Sequence, residues 1–220
     1  MNKHVLLFGD SNTWGYDGVH FKRYEDDERW TTLIKDELGA GYYVVAEGLS
    51  GRTTVFDDPL TESLAGIDAI AGVMMSHMPL DLLVIMLGTN DTKLRFSATA
   101  ANITKGLMRL VTKAKTLPDV WRTHPRILII SPMKIDKRLY DNPVNRAGMG
   151  DGCVEKSEEL PERYREAAKL LGVDYMDANP YCTPAEGDWM HIDLPSNARL
   201  AKAVAAKVKE MFEREEGMGE

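Results

Sequence analysis

The chain has little cysteine, no long apolar run and no excess of positive charge. Its two cysteines, Cys153 and Cys182, occur in no C-x-x-C or other metal-ligand spacing, and two are too few for a disulfide framework. We therefore expect free thiols and a cytoplasmic location. No apolar run approaches the ~20 residues that span a bilayer. The first residues, MNKHVLLFGD, also lack the features of a secretory leader, so we expect no membrane association.

The charge balance argues against nucleic acid as a partner. The formal net charge is -7, from 27 Lys and Arg against 34 Asp and Glu. The nearest approach to a basic cluster, Lys134, Lys137 and Arg138, is interrupted by Asp136. Binding to nucleic acid or to an anionic membrane surface depends on concentrated positive charge. We therefore expect neither of these partners.

Short apolar segments alternate with longer amphipathic ones, which predicts alternating strands and helices. The predicted strands are residues 4–8, 42–46, 82–87, 126–130 and 173–176. The predicted helices are about residues 28–38, 66–78, 98–117, 154–171 and 196–213. Continuous apolar strands such as LLVIML suit a parallel sheet that is covered on both faces. A chain of 220 residues fits one α/β domain over residues 1–220.

The segments 50–63 and 132–152 fall outside this alternation, and the first is predicted to be a polar loop after the second strand. Residues 132–152 are predicted to be an irregular loop, longer than a compact domain usually contains. Its apolar residues Met133, Ile135, Leu139, Tyr140 and Val144 lie among charged ones. We expect these residues to be exposed and predict that the loop forms part of a homo-oligomer interface, the alternative being a flexible lid on a monomer. Residues 214–220 are charged and contain glycine, and we expect them to fray.

Polar clusters follow three of the predicted strands, and a fourth precedes the last helix. They are Gly9-Asp10-Ser11-Asn12-Thr13, Gly48-Leu49-Ser50-Gly51-Arg52, Gly88-Thr89-Asn90-Asp91 and Asp188-Trp189-Met190-His191. Ligands of open α/β sheets bind beyond the carboxyl ends of the strands, so we expect the clusters to converge. Each cluster alone has an ordinary structural explanation, such as a turn or a helix cap. Asp10 and Asp91 are interpreted as side chains that brace their loops.

Together, the clusters supply the groups that acyl transfer requires. A serine hydroxyl such as that of Ser11 needs a neighbouring base, and His191 is suited to that task. Asp188, three residues earlier, could orient the histidine ring. The backbone N–H groups of Ser11 and Gly51 and the side-chain amide of Asn90 could stabilise an oxyanion. No group of residues has metal-ligand spacing, so we predict no metal.

Three further residues near these clusters have a choice of roles. Trp14 and Tyr16, just after the serine, either line the substrate pocket or pack on the core. Arg52 is expected to pair with Asp57 or Asp58 and so to hold the second loop.

The four clusters together resemble a known family. Ser11, Gly51, Asn90 and His191 match, in order and context, the four blocks that give the SGNH (GDSL-like) hydrolases their name. The segments DERW, EGLSGRTT, DDP, HMPLDLLVIMLGTNDTK and DWMH resemble the bacterial arylesterase and acyltransferase branch. The resemblance covers nearly the whole chain. It implies a three-layer α/β/α, flavodoxin-like fold with a five-stranded parallel sheet, no cofactor, and an even-numbered oligomer.

The resemblance also implies a role for each site residue. Ser11 is the implied nucleophile, with Asp188 and His191 as its partners, and Ser11, Gly51 and Asn90 form the implied oxyanion hole. The sequence departs from the family at Asn12, where the GDSL signature has leucine.

We therefore expect a serine esterase that hydrolyses small carboxylic esters through an acyl-enzyme at Ser11, with acyl transfer to alcohols as a second reaction. The alternatives within enzymes are a carbohydrate acetyl esterase, a thioesterase and a lysophospholipase. The alternative outside enzymes is a binding protein on a flavodoxin-like scaffold. Against the last, the chain has neither G-x-G-x-x-G after its first strand nor a Walker-type G-x-x-x-x-G-K.

Overall fold

The computed structural model describes residues 2–217 and contains a five-stranded sheet and a two-stranded hairpin. The strands are β1 (Lys3–Gly9), β2 (Tyr16–Asp17), β3 (Lys22–Arg23), β4 (Tyr42–Gly48), β5 (Leu82–Met86), β6 (Ile127–Ser131) and β7 (Asp174–Asp177). The helices are α1 (Ser11–Trp14), α2 (Trp30–Leu38), α3 (Gly66–Ser76), α4 (Ala100–Thr116), α5 (Pro143–Met149), α6 (Cys153–Leu171) and α7 (Leu194–Glu216).

The large sheet is parallel and has the strand order β4-β1-β5-β6-β7. Successive side chains of a strand point to opposite faces. In β1, Leu6 and Phe8 pack with α3, α4 and α6, whereas Val5 and Leu7 pack with α2 and α7. The predicted three-layer α/β/α fold with five parallel strands is therefore confirmed. Among residues 2–217, no helix combines the length and apolar composition needed to cross a bilayer.

Every strand and helix of the sequence prediction is present, with ends that differ by only a few residues. The hairpin formed by β2 and β3 was not predicted, and it lies beside the polar clusters. The last helix continues to Glu216, so it includes residues 214–216 of the tail that we expected to fray. Residues 218–220 of that tail lie outside the described residues.

The segment 132–152 is not an irregular loop, because it contains a 3-10 turn at Lys137–Asp141 and the helix α5. The Asn142 side chain caps this helix by accepting hydrogen bonds from the N–H groups of Val144, at 3.0 Å, and Asn145, at 3.3 Å. Pro143 occupies the start of the helix, where its missing N–H costs nothing. Asn-Pro was therefore the helix-start signal in this segment.

The prediction that this segment exposes its apolar residues is wrong for three of the five. Met133, Ile135 and Leu139 are at most 4% exposed, and Tyr140 is partly buried, whereas Val144 is 79% exposed. The physical reason is packing in two places. Met133 belongs to the main core on the side of the sheet covered by α2 and α7. A small apolar cluster with the start of α6 is made by Ile135, Leu139, Met149, Cys153 and Val154. The segment is therefore a packed part of the domain.

Candidate active site

Ser11 is the first residue of α1, separated from the end of β1 only by Asp10, and only 6% of it is exposed. The Asp10 side chain caps the helix by accepting a hydrogen bond from the N–H of Asn12 at 3.0 Å. The turn between strand and helix is crowded, since a Cβ atom on Gly9 would lie 2.0 Å from the Thr13 hydroxyl oxygen. The tight turn fixes the Ser11 hydroxyl at the carboxyl edge of the sheet.

The structure brings Ser11, His191 and Asp188 together in one hydrogen-bonded series. His191 Nε2 lies 2.7 Å from Ser11 Oγ, and His191 Nδ1 lies 2.6 Å from Asp188 Oδ2. Asp188 Oδ1 accepts the N–H groups of Met190, at 3.1 Å, and His191, at 3.0 Å. Burial would raise the pKa of Asp188, but the hydrogen bonds and the nearby histidine outweigh it, so its pKa is lowered.

The unpredicted hairpin helps to place Asp188. A Cβ atom on Gly18 would lie 2.4 Å from Asp188 Oδ2, and one on Gly187 would lie 1.8 Å from the Gly18 carbonyl oxygen. The two segments therefore touch backbone to backbone, which only glycine permits. Trp189, between the aspartate and the histidine, has a φ of +64°. Both glycines are visible in the sequence, but their role is to allow a close contact between segments about 170 residues apart. That contact could not be predicted from the sequence.

Gly51 and Asn90 line one cavity together with Ser11 and His191, and its volume is about 280 Å³. Gly51 has a φ of +89°, in a turn closed by the Arg52 N–H and the Leu49 carbonyl oxygen at 3.0 Å. The amide nitrogen of Asn90 donates to the carbonyl oxygen of Arg52 at 3.2 Å. A side-chain amide has a second N–H, which remains for a ligand.

The predicted pocket residues Trp14 and Tyr16 behave differently. Tyr16 lines the cavity, and its ring centroid lies 4.4 Å from that of His191. Trp14 is not among the described residues that line the cavity. Its ring lies instead beneath the guanidinium of Arg23, at 4.8 Å from ring centroid to Cζ. The packed segment after β6 adds Val144, Asn145, Gly148 and Met149 to the lining.

Arg52 does not pair with Asp57 or Asp58, contrary to the sequence prediction. Its guanidinium donates to the carbonyl oxygens of Gly9, at 2.9 Å, and Glu47, and lies over the ring of Phe8. The side chain turns inward to carbonyl groups near the ends of β1 and β4, and the Gly9 carbonyl oxygen also accepts the N–H of Leu49 at 3.1 Å. Arg52 therefore connects the turn that carries Ser11 to the second loop.

Asp10 and Asp91 are fully buried beneath the cavity. Asp10 braces its own turn, as predicted, whereas Asp91 accepts hydrogen bonds from the N–H of Thr54, at 2.9 Å, and from its hydroxyl. Asp91 thus joins the third loop to the second rather than bracing its own loop. Burial raises the pKa of each carboxyl from 3.8 to about 6.

The raised pKa of Asp91 predicts a pH-dependent stability. The folded state keeps this proton up to about pH 6, whereas the unfolded state loses it near 3.8. The contribution of Asp91 to stability is therefore fully present below pH 3.8 and is lost as the pH rises through 6. Asparagine keeps the oxygen that accepts from Thr54 and never ionises. Relative to wild type, Asp91→Asn should gain on the order of 3 kcal/mol in unfolding free energy between pH 4 and 7.5.

Urea unfolding at both pH values measures this difference. Asp57→Asn, on the exposed side chain that precedes Asp58, is the control and should show no such gain. A difference between Asp91→Asn and wild type that is the same at both pH values would contradict the prediction.

The fold and the site define a class of proteins. A parallel α/β/α sandwich with a hydrogen-bonded serine, histidine and aspartate at the carboxyl edge of its sheet is an arrangement typical of serine hydrolases. Residues 7–197 match the model of the GDSL-like lipase/acylhydrolase family. The chain therefore belongs to this family, and it is a carboxylic ester hydrolase. The family predicted from the sequence is confirmed, and the alternative of a non-enzymatic binding protein is set aside.

Several solved structures are similar to this chain. A carbohydrate acetylesterase from Sinorhizobium meliloti is 36% identical over 96% of this chain and 100% of that chain, with a TM-score of 0.89. The aryl esterase of M. smegmatis is 34% identical over 94% of this chain and 99% of that chain, with a TM-score of 0.88. The lipase/acylhydrolase from Enterococcus faecalis, at 17% identity and a TM-score of 0.67, shares the fold. A comparison with curated proteins finds no match.

Proposed function

We propose that Ser11 is the nucleophile of this esterase and that His191 is its general base. The observation that carries this proposal is the series Ser11–His191–Asp188, with contacts of 2.7 and 2.6 Å. His191 takes the hydroxyl proton as Ser11 Oγ attacks the ester carbonyl, and then gives it to the departing alcohol oxygen. Asp188 holds the ring with Nδ1 protonated and stabilises the imidazolium that forms.

The tetrahedral oxyanion is stabilised by three donors that line the cavity. The N–H of Ser11 is at the start of a helix, where backbone donors have no partner within the helix. The N–H of Gly51 and the second N–H of the Asn90 amide complete the donor set. Water, activated by His191, then hydrolyses the acyl-enzyme by the reverse sequence of proton transfers.

The preferred substrates in this proposal are esters with short acyl groups. The cavity of about 280 Å³ is small, and Tyr16, Met149 and Met190 restrict it. The similar structures include a carbohydrate acetylesterase and an aryl esterase, which supports acetyl esters of sugars or of aryl alcohols. Thioesters and lysophospholipids are weaker candidates, because their acyl chains are commonly longer than such a cavity holds. The buried Ser11 and His191 also favour acyl transfer to alcohols, since limited access of water slows hydrolysis.

A panel of p-nitrophenyl esters from acetate to dodecanoate, with acetylated sugars beside it, tests this substrate range. The value of kcat/KM should be highest for acetate to butyrate and should fall for longer chains. In excess ethanol, part of the acyl group should appear as ethyl ester. An optimum at octanoate or longer would contradict the short-acyl proposal, and free acid as the sole product would contradict acyl transfer.

Asn12, the residue that departs from the GDSL signature, links the two halves of the site. Its Oδ1 accepts the N–H of Ile192 at 3.0 Å, so the residue after the serine binds the residue after the histidine. Its carbonyl oxygen accepts Trp30 Nε1 at 2.9 Å. Asn12 is therefore a positioning residue, which sets the distance between Ser11 and His191 without touching the substrate.

Replacing Asn12 with leucine, the family residue, should lower kcat by about ten- to a hundredfold with little change in KM. The buried N–H of Ile192 loses its acceptor, and small displacements of reacting groups cost rate in this range. Steady-state kinetics on p-nitrophenyl acetate gives both constants. Trp30→Phe removes the other contact of Asn12 and is the matched control, with a smaller loss expected. Equal losses in the two variants would show that Asn12 acts only through packing.

We also propose that the protein assembles into an even-numbered homo-oligomer. Val144 at 79%, Phe21 at 63% and Leu94 at 52% are exposed apolar side chains, and such side chains are common at subunit interfaces. Light scattering on a size-exclusion column should give a mass of at least twice that of the 24.6 kDa chain. A mass equal to that of one chain would exclude assembly.

A further inference from the structure

The catalytic cavity has a charge that differs from that of the protein as a whole. The chain carries a net charge of -7. Apart from His191, the charged residues among the described ones that line this cavity are Lys93 and Arg95, and no carboxylate lines it. Both follow Asn90 along the chain, in the segment that leaves the end of β5. The wall of the cavity beside the proposed oxyanion donor is thus cationic.

The two cations share one partner, Asp58. Its Oδ2 lies 3.3 Å from Arg95 Nε and 4.0 Å from Lys93 Nζ, while its Oδ1 accepts the N–H of Leu60 at 2.9 Å. The Lys93 contact is longer than a hydrogen bond. In the part of the chain that the structure describes, Lys93 Nζ and the terminal nitrogens of Arg95 have no hydrogen-bond acceptor. One carboxylate therefore serves two cations.

Lys93 lines the cavity with an ammonium group for which the described residues supply no hydrogen-bond acceptor. Its side chain is only 12% exposed. Burial and the neighbouring Arg95 lower its pKa, against the opposing effect of Asp58. Asp10 and Asp91 also attract it, but they are fully buried beneath the cavity and do not line it. A ligand in the cavity can contact the two cations and cannot contact these carboxylates.

We infer that the cavity selects esters whose alcohol part carries a carboxylate, with Lys93 and Arg95 as the residues that bind it. Their shared partner Asp58 does not line the cavity, and neither do Asp10 and Asp91, so the lining presents to a ligand two cations and no carboxylate. The planar guanidinium of Arg95 presents its terminal N–H groups in the geometry that carboxylates accept. This inference rests on the proposed function, since an acetyl group is too short to carry the charge and leaves only the alcohol part for it.

The corresponding substrates are acetylated sugar acids and acetylated hydroxy-aromatic acids. In the reaction, the bond from Ser11 Oγ to the acyl carbon forms while the bond to the alcohol oxygen breaks. His191 transfers the serine proton to that oxygen, and the alcohol leaves with its carboxylate unchanged. The carboxylate is therefore a recognition group and takes no part in bond making or breaking.

The test compares 4-acetoxybenzoate with 4-acetoxybenzamide, which have the same acyl group and differ in one charge. Each kcat/KM is divided by the rate constant for hydroxide-catalysed hydrolysis of the same ester, which corrects for leaving-group reactivity. The wild-type ratio of acid to amide should be about tenfold in favour of the acid, because hydrogen bonds to charged groups contribute in this range. Added sodium chloride should lower the ratio.

Lys93→Gln should reduce this ratio about tenfold, and Arg95→Gln should reduce it in the same direction. The exposed Lys105 on α4 gives the matched control, since Lys105→Gln makes the same change in net charge outside the cavity. Because each variant is compared through a ratio of two substrates, a general loss of activity cancels. If Lys93→Gln does not fold, Arg95→Gln and the salt series on wild type still decide.

The possible outcomes distinguish a failure of the carboxylate site from a failure of the proposed esterase function. If the wild type hydrolyses neither ester and also fails to hydrolyse p-nitrophenyl acetate, the proposed function is wrong, whereas hydrolysis of p-nitrophenyl acetate alone would overturn only the carboxylate site. If both are hydrolysed with a corrected ratio near one, or if the ratio is the same in wild type, Lys93→Gln and Arg95→Gln, the carboxylate site is wrong and the esterase remains. A ratio that falls equally in Lys105→Gln would show a general effect of net charge and would also overturn the site.

Discussion

Replacing Ser11 with alanine should lower kcat for p-nitrophenyl acetate by about 10⁴-fold or more. The hydroxyl is the only group of the proposed triad that bonds to the substrate, so its removal leaves no acyl-enzyme pathway. The residual rate comes from the oxyanion donors and from binding, which remain in place. Since Ser11 is buried and its Oγ hydrogen-bonds only to His191 among residues 2–217, the variant should fold normally.

Ser50 provides the matched control, because it lines the same cavity but has no histidine beside it in the described structure. Ser50→Ala should lose less than about tenfold. A fluorophosphonate probe should add once per wild-type chain, at Ser11 by mass spectrometry, and should not label Ser11→Ala. Labelling at Ser50 or Ser131, or activity retained in Ser11→Ala, would contradict the assignment.

The layers of the fold were predictable because the strands are buried on both faces. LLVIM in β5 and ILII in β6 are continuous apolar runs, which a parallel sheet between two helical layers requires. In a parallel sheet, the carboxyl ends of neighbouring strands meet at one edge. Ser11, Gly51 and Asn90 each follow such a strand end, so this geometric constraint is sufficient to predict that they lie close together.

Contacts between distant segments were not predictable in the same way. The inward turn of Arg52 depends on two carbonyl groups at strand ends, and no neighbouring residue indicates it. Lys93 and Arg95 could not be predicted as candidate binding residues, because only the folded structure shows that they line the cavity. The helix α5 was an avoidable error, because Asn142 and Pro143 are a recognisable helix start.

Spacing alone also could not identify which histidine is the proposed general base. An aspartate lies three residues before a histidine twice, at Asp17 and His20 and at Asp188 and His191. The two pairs even share the contact from Nδ1 to Oδ2, at 2.7 and 2.6 Å respectively. The His20 side chain is 70% exposed, whereas that of His191 is 10% exposed and reaches a serine. The two pairs therefore differ in their position in the fold and not in their spacing, and our proposal assigns catalysis to the second pair for that reason.

The pair Asp17–His20 provides a control for substitution of His191. His191→Ala should lower kcat by at least about 10³-fold, since the serine then has no base to take its proton. His20→Ala removes a histidine with the same aspartate contact and should change kcat by less than about threefold, because exposed pairs contribute little. Steady-state kinetics of both purified variants gives the comparison, with circular dichroism to confirm folding.

The double variant Ser11→Ala/His191→Ala tests whether the two residues act as one unit. In a triad, each residue is useful only while the other is present, so the losses do not multiply. The double variant should be no slower than Ser11→Ala, within about twofold. Losses that multiply would mean that His191 contributes independently of the serine, for example by binding substrate. That result would remove His191 from the role of general base even if its single substitution were severe.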